Sequence, residues 1–272
     1  MNIATSRAIE LKLLDTEFEI TTDSDLVREL LEILWTPFLG PNGLTPYRLE
    51  MRDGTIHEAS SPGLVPKQNS AWGLLSELGG LMVDRAVQEA SGVMIIHAAA
   101  VARADVTLVM PGLTGMGKST LTLELLQRGW SYMSDDIVPV DVSTGCALPF
   151  PKPISIKDPS RWEALSKRWH GLHAALPFPA SEFLLPARAF DVVTDPRRPL
   201  YVAAPCFRIS GKRSMDRLTT AEAVAAVGPS VYRLEKHLTL LASICRELEA
   251  VQLSYDSTEE AMEYLSHLME GV

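Results

Sequence analysis

The sequence has few cysteines, three among its 272 residues: Cys146, Cys206 and Cys245. They lie far apart and form no CxxC pair, so the sequence offers neither a disulfide framework nor a cysteine-based zinc motif. We expect free thiols in a reducing compartment, and therefore a cytoplasmic protein.

A basic excess and a long apolar run are also missing. The net charge of −9 argues against a general nucleic-acid-binding protein, which normally carries surplus lysine and arginine. The longest apolar stretch, residues 92–102, is too short to span a bilayer and contains a histidine. The first twenty residues lack the continuous apolar segment of a secretion signal. We therefore expect neither a nucleic-acid partner nor a membrane partner.

Hydrophobic residues make up 46% of the chain, enough to fill the core of a globular protein. Strand-like and helix-like segments alternate through its middle, so the fold class is α/β or mixed α+β around a central sheet. Residues 1–65 form a small N-terminal α+β unit, with alternation over 9–20 and a hairpin at Asp53-Gly54. A turn-rich linker separates it from a larger domain over residues 66–272.

Helical spacing follows Ser24 or Asp25 and ends at Gly40-Pro41, and a second helix over 70–90 is weakened by Gly79-Gly80. The apolar segments 93–102 and 106–110 predict two strands joined by a short turn. Further strands are predicted around 137–142 and 199–209, and further helices over 119–128, over 159–169 and after the capping residues Thr219 and Ser257.

The strongest motif lies between a strand-like run and a helix. Residues 112–119 match G-x-x-x-x-G-K-[ST] in full: Gly112, Leu113, Thr114, Gly115, Met116, Gly117, Lys118 and Ser119. Glycines allow a sharp turn that presents backbone amides to phosphate oxygens at a helix N-terminus. Lys118 adds a full positive charge, Ser119 supplies a hydroxyl ligand for Mg²⁺, and Thr120 follows with a second hydroxyl. The loop therefore predicts ATP and Mg²⁺ as cofactors.

Two adjacent carboxylates, Asp135 and Asp136, follow Lys118 by only 17 positions. A strand beside the loop strand would bring them close to a bound γ-phosphate. One carboxylate can hold the metal while the other accepts a proton from an incoming hydroxyl. Ordinary P-loop ATPases place an acidic strand further along and follow it with a water-activating glutamate. The pair therefore favours transfer to an alcohol, although a solvated turn is the alternative.

Two other features have weaker interpretations. His97 lies within an apolar strand, where a hydrogen-bonded core histidine is the more common case. Basic residues cluster between 197 and 217, and a guanidinium there could stabilise charge on a transferred phosphoryl group. Arg208 is the first candidate, and Lys152 or Lys157 the next. A solvated loop rim explains each of these residues equally well.

Together these residues resemble the core of the HPr kinase/phosphorylase family and of its shorter peptide-modifying relatives. The similarity covers about 45 residues, from "IIHAAAVAR" through the glycine-rich loop and "RG" to "SDDIVPV". It implies a phosphoenolpyruvate-carboxykinase-like P-loop kinase that transfers the ATP γ-phosphate to a serine hydroxyl. By position, Asp135 would be the base, Asp136 would hold Mg²⁺ with Ser119, and His97 would lie near the γ-phosphate. Which aspartate takes which role is left open.

The N-terminal region does not resemble the regulatory domain of that family, and its downstream glycine-rich signature is missing. A peptide or small protein carrying a serine, such as a lasso-peptide precursor, therefore fits the acceptor at least as well as HPr. Two other functions remain as alternatives: a small-molecule hydroxyl kinase, and a nucleotide-binding regulator without turnover. The family members assemble into hexamers, and a homo-oligomer is left open for this chain.

Overall fold

The computed structural model describes residues 8–41, 43, 46–58, 68, 70–156, 183–207 and 213–269. The strands are β1 (Ile9–Leu13), β2 (Thr16–Thr22), β3 (Tyr47–Arg52), β4 (Thr55–Glu58), β5 (Val93–Ile96), β6 (Ala98–Arg103), β7 (Val106–Pro111), β8 (Ser131–Ser134), β9 (Val138–Asp141), β10 (Ile154–Ile156), β11 (Phe183–Leu185), β12 (Tyr201–Phe207), β13 (Ser214–Arg217) and β14 (Glu249–Tyr255). The α-helices are α1 (Asp25–Leu34), α2 (Ala71–Glu89), α3 (Lys118–Gln127), α4 (Thr220–Val227), α5 (Leu234–Glu247) and α6 (Thr258–Met269).

The chain divides into two compact units. The first comprises Met1–Ser91 and Pro153–Ala189, and the second comprises Gly92–Lys152 and Phe190–Val272. The first unit therefore extends past the boundary predicted at residue 65. The reason is that α2 packs against α1 and against strands β1, β2 and β4, which local sequence patterns do not reveal.

The first unit is built on a four-stranded sheet in the order β1-β2-β3-β4. β1 and β2 form an antiparallel hairpin whose alternating residues are buried, which confirms the strand pattern predicted over 9–20. β3 and β4 form the predicted hairpin at Asp53-Gly54, and β3 runs parallel to β2. A separate antiparallel pair, β10-β11, belongs to the same unit.

The helices of this unit differ from the prediction in two places. α1 begins after the predicted cap Ser24 but ends at Leu34, well before Gly40. Pro37 explains the early end, because proline has no N–H and cannot continue an α-helix interior. α2 runs uninterrupted through Gly79-Gly80. A Cβ on Gly79 would lie 3.1 Å from the Trp35 ring, so this glycine permits close packing of the two helices.

The second unit contains a six-stranded mixed sheet in the order β13-β14-β12-β7-β6-β8. β12 runs parallel to both β14 and β7, while β13, β6 and β8 pair with their neighbours in antiparallel fashion. α3 packs on β6 and α6, and α4 packs on α5 and β14. The predicted capping box of Thr219 and Glu222 starts α4, and Ser257 accepts a backbone hydrogen bond at the start of α6.

The prediction of one continuous strand over residues 93–102 is wrong, because the strand breaks at His97. β5 pairs with β9, whereas β6 pairs with β7 and β8 in the large sheet. At the break the His97 N–H donates to the Ser230 carbonyl over 2.6 Å, and the His97 carbonyl accepts from Gly112 N–H over 3.2 Å. His97 therefore faces a junction between two sheets instead of lying within one strand.

The prediction of a mixed α/β fold is confirmed, while the specific phosphoenolpyruvate-carboxykinase-like arrangement stays a prediction. The helix predicted over 159–169 lies outside the described residues. Among the described helices, none combines the length and the apolar character needed to cross a membrane.

Candidate functional site

The glycine-rich loop connects β7 to α3 within the second unit. β7 ends at Pro111 and α3 begins at Lys118, so the motif occupies the turn from a buried strand to a helix N-terminus. Gly115 and Gly117 have φ of 89° and 96°, in the left-handed region that residues with a Cβ adopt at a cost. Gly117 is also the residue that caps α3. The strand–loop–helix order is the one that phosphate binding requires.

Tyr255, at the end of β14, covers this loop and was not singled out from the sequence. Its hydroxyl donates to the Met116 carbonyl over 3.3 Å, and its side chain is buried. A Cβ on Gly117 would lie 2.1 Å from the Tyr255 Oη. Close approach by the tyrosine therefore requires glycine at this position.

We expect Gly117→Ala to lower stability more than Gly115→Ala. Both variants carry left-handed strain of about 1 kcal/mol, but a Cβ on Gly115 meets no atom within 4 Å. Overpacking against Tyr255 should add about 1–3 kcal/mol at Gly117, measured by denaturant unfolding. Adding Tyr255→Phe removes the Oη and should recover part of this loss. Equal losses in the two alanine variants would contradict the predicted collision.

Lys118, the first residue of α3, is 4% exposed. Its Nζ donates to the carbonyls of Gly112 (2.6 Å) and Leu113 (3.1 Å), and lies 3.1 Å from His97 Nε2. Burial, followed by the positive charge of Lys118, lowers the pKa of His97, so the imidazole is neutral at neutral pH. His97 and Lys118, two of the predicted site residues, are thus in contact, and the neutral ring can accept a hydrogen bond from the ammonium group.

Asp135 lies directly beside the start of α3. The Ser119 Oγ is 3.0 Å and 3.2 Å from the two oxygens of this carboxylate, which is 1% exposed. Burial raises the pKa of Asp135, although Lys152 and the Ser119 hydroxyl oppose the shift. Contrary to the prediction, β8 does not neighbour the loop strand, because β6 lies between β7 and β8. The contact arises because α3 packs across β6 towards β8.

Asp136 differs from its neighbour in conformation and exposure. It has φ of 73°, just after β8 ends, and its side chain is 43% exposed. Its carboxylate pairs with Lys152 Nζ at 3.4 Å. Burial raises the pKa of Asp136, but the positive charges of Lys152 and Lys118 and the hydrogen bond from Lys152 outweigh that effect, and the net pKa is lowered. This carboxylate therefore remains an anion suited to holding a cation.

Lys152 was a second-choice candidate from the sequence, and the structure brings it to the site. The side chain is largely buried, and two hydroxyls of strand β8 hold the backbone at residues 150 and 152. The buried Tyr132 hydroxyl donates to the Lys152 carbonyl over 2.8 Å, and the Ser134 hydroxyl donates to the Phe150 carbonyl over 3.0 Å. Tyr132 gave no sequence signal, because a tyrosine in an apolar strand looks like an ordinary core residue.

In the described part of the basic segment between 197 and 217, the exposed arginines form ion pairs at the surface. Its exposed arginines pair with acids on or next to α5 and β14: Arg198 with Glu247, Arg213 with Asp256, and Arg217 with Glu249. Such exposed pairs contribute little stability and are typical of a solvated rim. Arg208, the first-choice candidate, lies outside the described residues, as do Lys157 and Lys212.

The site as a whole balances two lysines against two aspartates around a neutral histidine. Hydroxyl and carboxylate oxygens of Ser119, Asp135 and Asp136 are the ligand type that Mg²⁺ prefers. Among the described residues, no cluster of three or more His, Cys, Asp or Glu side chains could hold a metal alone.

We expect the raised pKa of Asp135 to appear in the pH dependence of stability. A folded pKa above the unfolded value means that stability present at low pH is lost as pH rises through the folded pKa. A tenfold difference in proton affinity between the folded and unfolded states corresponds to about 1.4 kcal/mol. Asp135→Asn should therefore gain stability relative to the wild type as the pH rises above the ordinary aspartate pKa of about 4, measured by urea unfolding.

Asp105→Asn, in the exposed turn between β6 and β7, is the control and should show no such trend. A stability difference between Asp135→Asn and the wild type that is independent of pH would contradict the prediction.

No protein-family model matches the chain, and no curated protein matches it. Among solved structures, the HPr(Ser) kinase/phosphatase from Coxiella burnetii matches over 65% of this chain and 93% of its own chain. The sequence identity is 12% and the TM-score is 0.29. A likeness at this level carries no functional weight, so function must come from the residues of this chain.

Proposed function

We propose that this protein is an ATP- and Mg²⁺-dependent phosphotransferase that acts on a hydroxyl group. One observation carries the proposal: Lys118 and Ser119, at the start of α3, contact His97 and Asp135 respectively. A helix N-terminus that follows a glycine-rich loop, together with a lysine, a hydroxyl and two carboxylates, is the set of groups that phosphoryl transfer needs.

The roles follow from the position of each group. The loop amides and Lys118 neutralise the phosphate charge, and His97 orients the Lys118 ammonium by accepting one of its hydrogens. Ser119 and Asp136 would hold Mg²⁺, which would supply positive charge to offset the charge that develops during transfer. Lys152 keeps Asp136 ionised and places a second cation at the site. These assignments rest on the contacts and on the opposite pKa directions of the two aspartates.

Asp135 is proposed as the general base. A carboxylate with a raised pKa is a better proton acceptor than an ordinary aspartate. It takes the proton of the acceptor hydroxyl as that oxygen forms a bond to the γ-phosphorus. The bond from the γ-phosphorus to the bridging oxygen breaks, and ADP leaves with that electron pair. The phosphorylated acceptor and a proton are the other products.

The acceptor is proposed to be a serine of a peptide or small protein, on the strength of the sequence resemblance. In this proposal, the first unit, which includes the N-terminal residues 1–65, recognises the acceptor, and the second unit carries the chemistry. A small-molecule alcohol and a regulator without turnover are kept as outcomes of the test.

The test incubates the purified full chain with Mg²⁺ and γ-labelled ATP. The acceptors are serine-containing peptides, the same peptides with alanine for serine, free serine and nucleosides. Label on serine peptides alone supports the proposal, with mass spectrometry locating the added phosphate. Label on a metabolite alone indicates a small-molecule kinase, and tight ATP binding without any product indicates a regulator. Failure to bind ATP would refute every one of these functions.

A further inference from the structure

An exposed aromatic side chain lies next to the glycine-rich loop and has no role in the chemistry described above. Phe207 is the last residue of β12 and is 37% exposed. Its register partner on β14 is Tyr255, the residue that covers the loop. From this juxtaposition we propose that Phe207 is the stacking surface for the base of the bound nucleotide. The inference rests on the proposed function, because it concerns the same nucleotide.

Sheet topology places Phe207 at the same edge as the loop. β12 runs parallel to β7, with Tyr201 opposite Leu108 and Val202 opposite Val109, and it runs parallel to β14 on its other side. The carboxyl ends of these three strands therefore meet at one edge of the sheet. Ligands of open α/β sheets bind outside the carboxyl ends of parallel strands. A nucleotide whose phosphates occupy the loop at this edge has its base within the same region.

Direct contacts connect the aromatic pair to the loop. The ring centroids of Phe207 and Tyr255 are 5.7 Å apart, with 58° between the ring planes. The Tyr255 hydroxyl donates to the Met116 carbonyl, and a Cβ on Gly117 would lie 3.7 Å from the Phe207 Cβ. The buried Tyr255 thus packs against Phe207, and a tilted aromatic pair is a favourable arrangement.

An exposed phenylalanine at this position is consistent with a ligand that covers it. Large apolar side chains exposed singly are common on protein surfaces, so exposure alone indicates nothing. Here the ring is held by a buried tyrosine that also contacts the phosphate loop. Stacking of a base on an aromatic face depends little on base identity, because every base has a π-face. We therefore expect ATP and GTP to bind with similar affinity.

The experiment compares two ligands that share phosphates and differ in the base. Mg-ATP and Mg-tripolyphosphate are titrated by calorimetry into the wild type, Phe207→Ala and Phe207→Trp. Phe207→Ala should weaken ATP binding about tenfold, as expected for the loss of one stacked base. Binding of tripolyphosphate should change by less than about twofold, since it makes no stacking contact. Phe207→Trp should retain ATP binding.

Two controls make the result specific. Tyr232→Ala removes an aromatic side chain of similar exposure, 39%, from just before α5 and should leave both affinities unchanged. Phe207→Leu keeps an apolar side chain but has no ring, so it should behave like Phe207→Ala if stacking is the cause. Circular dichroism establishes that each variant is folded.

Three results would overturn the inference. The first is equal affinity of the wild type for ATP and tripolyphosphate, which leaves the phosphate site intact but removes any role for the base. The second is an equal decrease in affinity for ATP and for tripolyphosphate in Phe207→Ala, which would mean that Phe207 only shapes the loop. The third is a wild type that binds neither ligand, and this result alone also refutes the proposed function.

Discussion

Asp135→Asn should lower the rate of phosphoryl transfer by about 10²–10⁴-fold while Mg-ATP still binds, because general-base catalysis contributes a factor of this size. The asparagine amide oxygen can still accept the Ser119 hydrogen bond that the carboxylate accepts in the wild type. What is lost is the ability to take a proton from the acceptor. Single-turnover transfer of labelled phosphate, together with a separate titration of Mg-ATP, distinguishes loss of chemistry from loss of binding.

Asp136→Asn is the matched variant, because it removes the adjacent carboxylate with the opposite pKa direction. If Asp136 holds the metal, this variant should need more Mg²⁺ to reach its maximum rate and should recover part of its activity at high Mg²⁺. If Asp136→Asn instead loses transfer and Asp135→Asn instead needs more Mg²⁺, the base is Asp136 and the metal ligand is Asp135. Full transfer activity in both variants would refute the mechanism.

Lys118→Ala should lower both ATP affinity and transfer, with a loss in transfer of at least about 100-fold, as for other charged groups that stabilise a transferred phosphoryl group. The side chain is buried, and its Nζ already lies against the loop carbonyls of Gly112 and Leu113. Helix α3 contains no second lysine, so no ammonium from this helix can replace it at the loop. Calorimetric titration with Mg-ATP and Mg-tripolyphosphate measures the change, and both ligands should weaken together.

Lys236→Ala is the control for this prediction. Lys236 is an exposed lysine in the first turn of α5, so it occupies a comparable helical position without a glycine-rich loop before it. Its replacement should leave ATP binding and transfer unchanged. Retained transfer in Lys118→Ala, with the fold intact by circular dichroism, would exclude the proposed phosphate site.

Local patterns in the sequence were sufficient to predict much of the framework. The start of α3 after the glycine-rich loop, the hairpin at Asp53-Gly54 and the capping box at Thr219 all depend on residues within a few positions of one another. Hydrogen bonds and steric limits over such short separations depend only on neighbouring residues, so the order of residues is enough to predict them. For the same reason Ser119 and Lys118 could be recognised as a pair with a defined function.

Several features of the site depended on contacts between distant segments. Lys152 reaches Asp136 because the Tyr132 and Ser134 hydroxyls hold the backbone of residues 150–152. The break at His97 arises because β5 and β6 pair with different strands. Neither follows from periodicity, since an apolar run gives the same pattern whichever strand it pairs with.

By itself the sequence determined the glycine-rich motif, the alternation of strands and helices and the residues that form the hairpins and helix caps, because these are set by short-range geometry. Only the tertiary structure decided that Ser119 faces Asp135, that Lys152 pairs with Asp136 and that Tyr255 closes over Gly117. These contacts join residues that are 16 to 138 positions apart, and they exist only once the sheet order β14-β12-β7-β6-β8 has brought their strands together.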